Sequence, residues 1–299
     1  MNALSTSNTH PQKLQISQPV AGNPLNIGDG FEALSFKHDQ FDGLMDPLVM
    51  VDHYVMSQPT FGAHPHAGMS AVSILFEDSE GVFNNRDSLG NNLDLLPGDV
   101  YWLKAGSGAI HDEKPAAGSR THGLQMFVNL PERHKADAPE SLHVPAAGIP
   151  VINGEGHRVR VVLGESNGIQ GARSPALPFT ALDAYLQEGG EYSHQVASEQ
   201  SLLVYAVSGE IEIQLGEQKI HLSERRAVAM QVGQLGKQVE KNEQALQLAS
   251  AKGAHVVVLQ SAPVKEAFVQ RGPFVMSSTD DINQVTAAYE AGLLGAIPE

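Results

Sequence analysis

The sequence contains no cysteine. That absence excludes disulfide frameworks, thiolate nucleophiles and thiolate metal sites. Basic residues are also scarce: 19 Lys and Arg stand against 34 Asp and Glu, a formal charge of −15. A surface that acidic is not built to neutralise phosphates, so direct nucleic-acid binding and docking on anionic membranes are not expected. Long hydrophobic runs are missing too, and nothing approaches the ~20 apolar residues of a membrane helix. Residues 1–15 lack the basic and apolar regions of a signal peptide and read as a mobile polar tail, so a cytoplasmic location is expected. Tryptophan occurs once, at Trp102, and reads as core packing in preference to a pocket wall.

What is present describes a folded β protein. Of 299 residues, 41% are hydrophobic and 18% charged, which suits globular structure and is enough chain for two domains. Short apolar runs alternate with turns: Leu48–Val51, Val72–Phe76 and Val100–Leu103 in the first half, then Val159–Leu163, Leu202–Val207, Ile211–Leu215 and Val256–Leu259. Runs of this length and spacing suit the strands of a sandwich or barrel. Pro131, Pro139, Pro145 and Pro150 punctuate an intervening stretch that reads as an interdomain crossing. The two halves share a rhythm that suggests internal duplication. One helix is expected, over about 280–292. Ser278 precedes Asp281 in a cap-like arrangement, and Ile282, Val285 and Tyr289 recur at helical spacing.

Two short segments carry chemistry. Ala63-His64-Pro65-His66-Ala67-Gly68 and Ala109-Ile110-His111-Asp112-Glu113-Lys114 each hold two ligand-type side chains separated by one residue. On a strand, residues i and i+2 face the same side, so His64 with His66, and His111 with Glu113, project together. Strands lying side by side would bring four N and O donors to one point. Imidazole and carboxylate suit Fe, Mn, Ni, Cu or Zn, and on a six-coordinate ion four ligands leave two positions open for substrate or dioxygen. His194 and His221 have no i+2 partner and read as structural or surface residues, as do His53, His134, His143, His157 and His255. His122, shortly after the Glu113 strand, is a candidate for supporting a ligand. Arg86, Asp87 and Asp99 read as turn residues without a catalytic role.

At these segments the chain resembles the pirin family of the cupin superfamily. The resemblance rests on His64-Pro65-His66-Ala67-Gly68, on Arg86–Asn91 and Pro97–Trp102, and on Ala105–Glu113. Gly123–Pro131 and Gly272–Met276 extend it, so that it covers about residues 20–295. It implies an all-β bicupin, two jelly-roll-type barrels packed face to face with a short C-terminal helix. The division expected is a tail over 1–15, a metal-binding cupin over 16–140, and a metal-free cupin with the helix over 141–299. Position by position, the resemblance implies iron on His64, His66, His111 and Glu113. Quercetin 2,3-dioxygenase-type oxidation of a phenolic small molecule is one implied activity, with Glu113 as the catalytic base. Iron-dependent regulation of a protein partner is the alternative; the ligand set alone also permits a zinc or manganese isomerase or hydrolase, which the resemblance disfavours. The sequence departs from the family pattern at Ser70, where a carboxylate is usual, and at Asn85, where a His is common.

Overall fold

A computed structural model describes residues 14–233 and 243–298. Several strands are buried at every position, not at alternate ones. Met69–Leu75 is buried throughout, as is Ser201–Val207 within Ser201–Gly209. A strand of that kind needs apolar partners on both faces, and the architecture supplies them. In the N-terminal half a seven-stranded sheet runs in the order Glu140–Val144, Val100–Lys104, Met69–Leu75, Thr121–Asn129, Leu48–Met56, Phe31–Lys37, Asn23–Ile27. One face closes on a four-stranded sheet ordered His64–His66, Ala109–Pro115, Phe83–Asp87, Asn92–Leu95.

The C-terminal half repeats the plan. Its large sheet is built on Arg226–Gln231, Ser201–Gly209, Ala254–Ser261, Phe179–Leu186, His157–Leu163 and Val151–Gly154, in that order. Its small sheet is Gly190–Ala197, Glu243–Ser250, Ile211–Leu215, Gln218–Leu222. The outer faces of the two large sheets pack on each other. One apolar cluster joins Val51, Val72, Phe76, Trp102 and Met126 to Phe179, Leu203, Tyr205, Val257 and Leu259. Trp102 is therefore a core residue of this seam, edge-on to Phe179 at 5.4 Å between ring centres.

Polar groups cross the seam in pairs. Arg158 reaches Glu77 at 2.6 and 2.9 Å, and buried Arg160 holds Asp183 at 2.9 Å and the Gly98 carbonyl. Burial would raise the Asp183 carboxyl, but His255 and Arg160 beside it hold it below its usual range. A second chain runs from Asp78 through His122 (2.8 Å) and His53 (2.7 Å) to Tyr205 (2.6 Å).

Three features differ from the sequence reading. The tail expected over 1–15 lies outside the described residues as far as 13, but Gln15–Ile16 and Val20–Ala21 pair with Arg226–Gln231 of the other half. The proline-rich crossing contains the strand Glu140–Val144, because the edge of Val100–Lys104 offers unpaired backbone groups. The helix spans Thr279–Glu290 with Ser278 capping the Asp281 amide at 3.1 Å, but Tyr289 is exposed and Leu294 beyond it completes the buried stripe. This helix returns to the N-terminal barrel, where Ile282 and Val285 pack with Ala67 and Phe274.

Candidate metal centre

His64–His66 is the edge strand of the small N-terminal sheet, a place where Pro65 costs no ladder hydrogen bond. Gly68 ends the motif with φ +71°, and a Cβ there would meet the Val275 carbonyl oxygen at 2.0 Å. The close approach lets the C-terminal segment lie against the ligand strand: the Val275 amide donates to the Ala67 carbonyl at 3.0 Å. Buried Lys135 ties these two segments to the end of the strand Thr121–Asn129. Its ammonium donates to the Gly68 carbonyl (2.8 Å), the Val275 carbonyl (2.8 Å) and Asn129 (2.6 Å).

Antiparallel pairing sets His111 directly opposite His64 and Ala109 opposite His66. The i, i+2 rule then brings three rings to one point. His111 Nε2 lies 3.0 Å from His66 Nε2 and 3.0 Å from His64 Nε2. Such separations are those of adjacent corners of an octahedron at a metal–nitrogen distance of roughly 2.1 Å. Burial holds all three rings neutral: it drives His66 down to about 3, with His64 adding to the effect, and holds His111 well below its usual value. Neutral imidazoles keep the lone pairs that a metal needs. His64 Nδ1 donates to the Gly62 carbonyl at 2.8 Å, which leaves its Nε2 as the donor atom for an ion. The three histidines thus form a group able to bind a metal.

Glu113 points into the same space without joining the three-ring cluster. Its carboxylate lies 3.9 Å from His111 Nδ1 and accepts from Ser73 (2.6 Å) and Asn85 (3.1 Å). Burial, reinforced by Asp112 and opposed by Ser73, raises it to about 7 in the absence of a cation. An ion in the cluster would lower it again, since positive charge favours the carboxylate. Asn85, one of the departures from the family pattern, therefore holds Glu113 in place, while Ser70 is buried without a hydrogen-bond partner. His122 does not reach the cluster. It sits on the opposite face of its strand, bound to His53 and Asp78 in the seam between barrels. Asp87 folds the following turn by accepting from the Leu89 and Asn91 amides.

The cluster opens on a cavity of about 200 Å³ lined by Phe31, Tyr54, Phe61, Phe83 and Phe127, with Asp52 and Gln125 among the polar groups. A larger cavity, about 610 Å³, lies in the C-terminal barrel beside Tyr192 and Glu212 and away from His64, His66 and His111. We place the chemistry at the smaller cavity because the convergent ligands are there. Sequence reading missed Ser73, Gln125, Asp52 and Tyr54. A charged residue and a tyrosine two positions apart inside the apolar run Leu48–Met56 were the available signal.

Two face-to-face barrels, with convergent imidazoles among the described residues only in the first, define a bicupin whose first barrel could hold a metal. The chain belongs to the pirin family: residues 16–128 match Pirin and residues 181–295 match the Pirin C-terminal cupin domain. Mouse Pirin is 30% identical over 241 residues, 80% of each chain. A crystal structure of quercetin 2,3-dioxygenase from Acinetobacter baumannii shares the fold with a TM-score of 0.80 at 24% identity, over 96% of this chain and 100% of that one. A bacterial pirin of Escherichia coli solved with nickel(II) has a TM-score of 0.60 at 20% identity, over 84% and 99%.

Proposed function

We propose that the protein holds one iron ion on His64, His66 and His111, with Glu113 as the fourth ligand, and oxidises flavonol-like phenols in the manner of a quercetin 2,3-dioxygenase. The observation that carries this reading is the three-imidazole cluster facing an aromatic-walled cavity. The donor set admits Mn, Ni, Cu and Zn as well, and the Escherichia coli relative was crystallised with nickel(II). Dioxygen chemistry calls for a redox-active ion, which disfavours zinc, and among the others iron is the metal that the pirin resemblance implies. Further support is the activity named for the Acinetobacter baumannii protein of the same fold.

When bound, such an ion supplies a Lewis-acidic, redox-active centre that acidifies a coordinated hydroxyl. The protein's own groups do the rest. Phe31, Phe83 and Phe127 hold a planar ring and exclude water. Glu113 takes the proton of the substrate hydroxyl, and Ser73 and Asn85 orient the carboxylate that receives it. The test is oxygen consumption by iron-reconstituted protein with quercetin. Turnover that disappears in His111→Ala is expected; bound iron without any turnover would overturn the dioxygenase reading.

A second reading, an iron-dependent regulator of a protein partner, draws on the contact between the His64–His66 strand and the C-terminal hairpin at Ala67, Gly68 and Val275. Redox-dependent capture of a partner, lost in His111→Ala, is the result it requires.

A further inference from the structure

The strand Leu48–Met56 turns one face to the seam between barrels and the other to the metal cavity. Val51 and His53 belong to the seam, while Met50, Asp52, Tyr54 and Met56 line the cavity. Two polar groups on the cavity face are anomalous. Asp52 is 7% exposed and its Oδ1 has no hydrogen-bond partner; Tyr54 is 3% exposed and its hydroxyl has none. Ser35, opposite Asp52 in the register, is near enough to oppose the upward push of burial on the carboxyl, but its hydroxyl too is without a hydrogen-bond partner. Buried polar atoms are nearly always paired, because each orphan forfeits its hydration without return. Two orphans at i and i+2 on one wall of the cavity suggest that their partners arrive with a ligand.

We propose that Asp52 and Tyr54 are the substrate-orienting pair of this cavity, the Asp52 carboxylate accepting a hydrogen bond from a ligand hydroxyl and the Tyr54 phenol donating one to another ligand oxygen. The proposal rests on the phenol-binding reading above and deepens it. Phe31, stacked on Tyr54 with ring centres 5.8 Å apart, and Phe83 at 6.4 Å fix the tyrosine ring. Burial keeps the Tyr54 phenol protonated and hence a donor. Two residues along a strand stand roughly 7 Å apart, so the pair matches oxygens spread over a fused ring system. The ligand class is a planar polycyclic molecule with a hydroxyl near one end and an acceptor oxygen further along. Both residues are positioning residues.

The experiment uses full-length iron-loaded protein and the near-isosteric variants Asp52→Asn and Tyr54→Phe. Three quantities are read: iron per chain, anaerobic quercetin affinity by calorimetry, and the thermal midpoint without ligand. Unchanged iron, quercetin affinity weakened about ten-fold or more in each variant, and a ligand-free midpoint equal to or above that of the wild type are expected. Wild-type affinity in both variants would overturn the proposal. So would a lowered ligand-free midpoint in Asp52→Asn, which would make the carboxylate a structural group. If the wild type itself fails to bind quercetin, the functional reading falls, and the ligand-free midpoint still decides whether Asp52 is an unsatisfied group.

Discussion

In the N-terminal barrel His64 stands opposite His111, and Glu113 opposite Asn85. At the corresponding pairing positions of the C-terminal barrel His194 stands opposite Leu246, and Leu248 opposite Ile213. His66 likewise becomes Val196, and Asp87 becomes Leu215. The backbone frame is shared, so the frame does not decide what the barrel does. The side chains at a few inward positions decide it. In the second barrel those positions are filled by apolar groups that pack into one buried cluster. His194 survives there, but its two ring nitrogens are occupied, by Ser166 at 2.8 Å and Gln260 at 2.9 Å. In the first barrel the Nε2 atoms of three rings face one another, and Nδ1 of His66 and of His111 has no partner. One barrel packs these inward positions with apolar side chains; the other sets three buried imidazoles there, able to bind a metal.

That contrast can be broken by exchanging the roles. Leu246 is fully buried, and Leu246→Ala should cost about 2–5 kcal/mol. In the metal-free protein His111→Ala should cost far less, since it relieves the crowding of three nitrogens. Urea denaturation of the two metal-free variants makes the comparison, and equal losses would mean that the histidines are ordinary core.

An effect of comparable size appears with pH. The folded-state value of His66 is about 3, below its unfolded value near 6.5. Between those limits the unfolded chain binds a proton that the folded chain refuses, so metal-free stability falls as pH falls from 6.5 towards 3. The slope is about 1.4 kcal/mol per pH unit for each such group. His66→Leu should remove one group's share of that slope, measured as urea midpoints between pH 7 and 4, and an unchanged slope would refute the assignment.

The smallest effect concerns the C-terminal helix, which follows the second barrel in sequence and packs on the first. Ser278→Ala removes the cap on the Asp281 amide and should cost about 1 kcal/mol by the same denaturation measurement.

Much of this architecture is legible in local pattern. The apolar runs Val72–Phe76, as far as Leu75, and Leu202–Val207 lie in strands, and the Ser278 cap starts the C-terminal helix. The two ligand segments are legible because strand geometry places i and i+2 on one face, and the register of His64 against His111 then brings His64, His66 and His111 together. What stays hidden depends on contacts distant in sequence. Gln15–Ile16 becomes a strand only because Arg226–Gln231 offers an edge, and Lys135 is buried only because Gly68 and Val275 bring two carbonyls to it. His122 faces Asp78 instead of the metal group because one residue of strand phase reverses its direction.

Metal content per chain after iron loading and gel filtration tests the comparison between barrels most directly, measured on the wild type, His111→Ala and His194→Ala. One ion per chain in the wild type and in His194→Ala, and none in His111→Ala, is the expected result. An ion retained by His111→Ala, or lost from His194→Ala, would contradict the assignment of the metal to the N-terminal barrel.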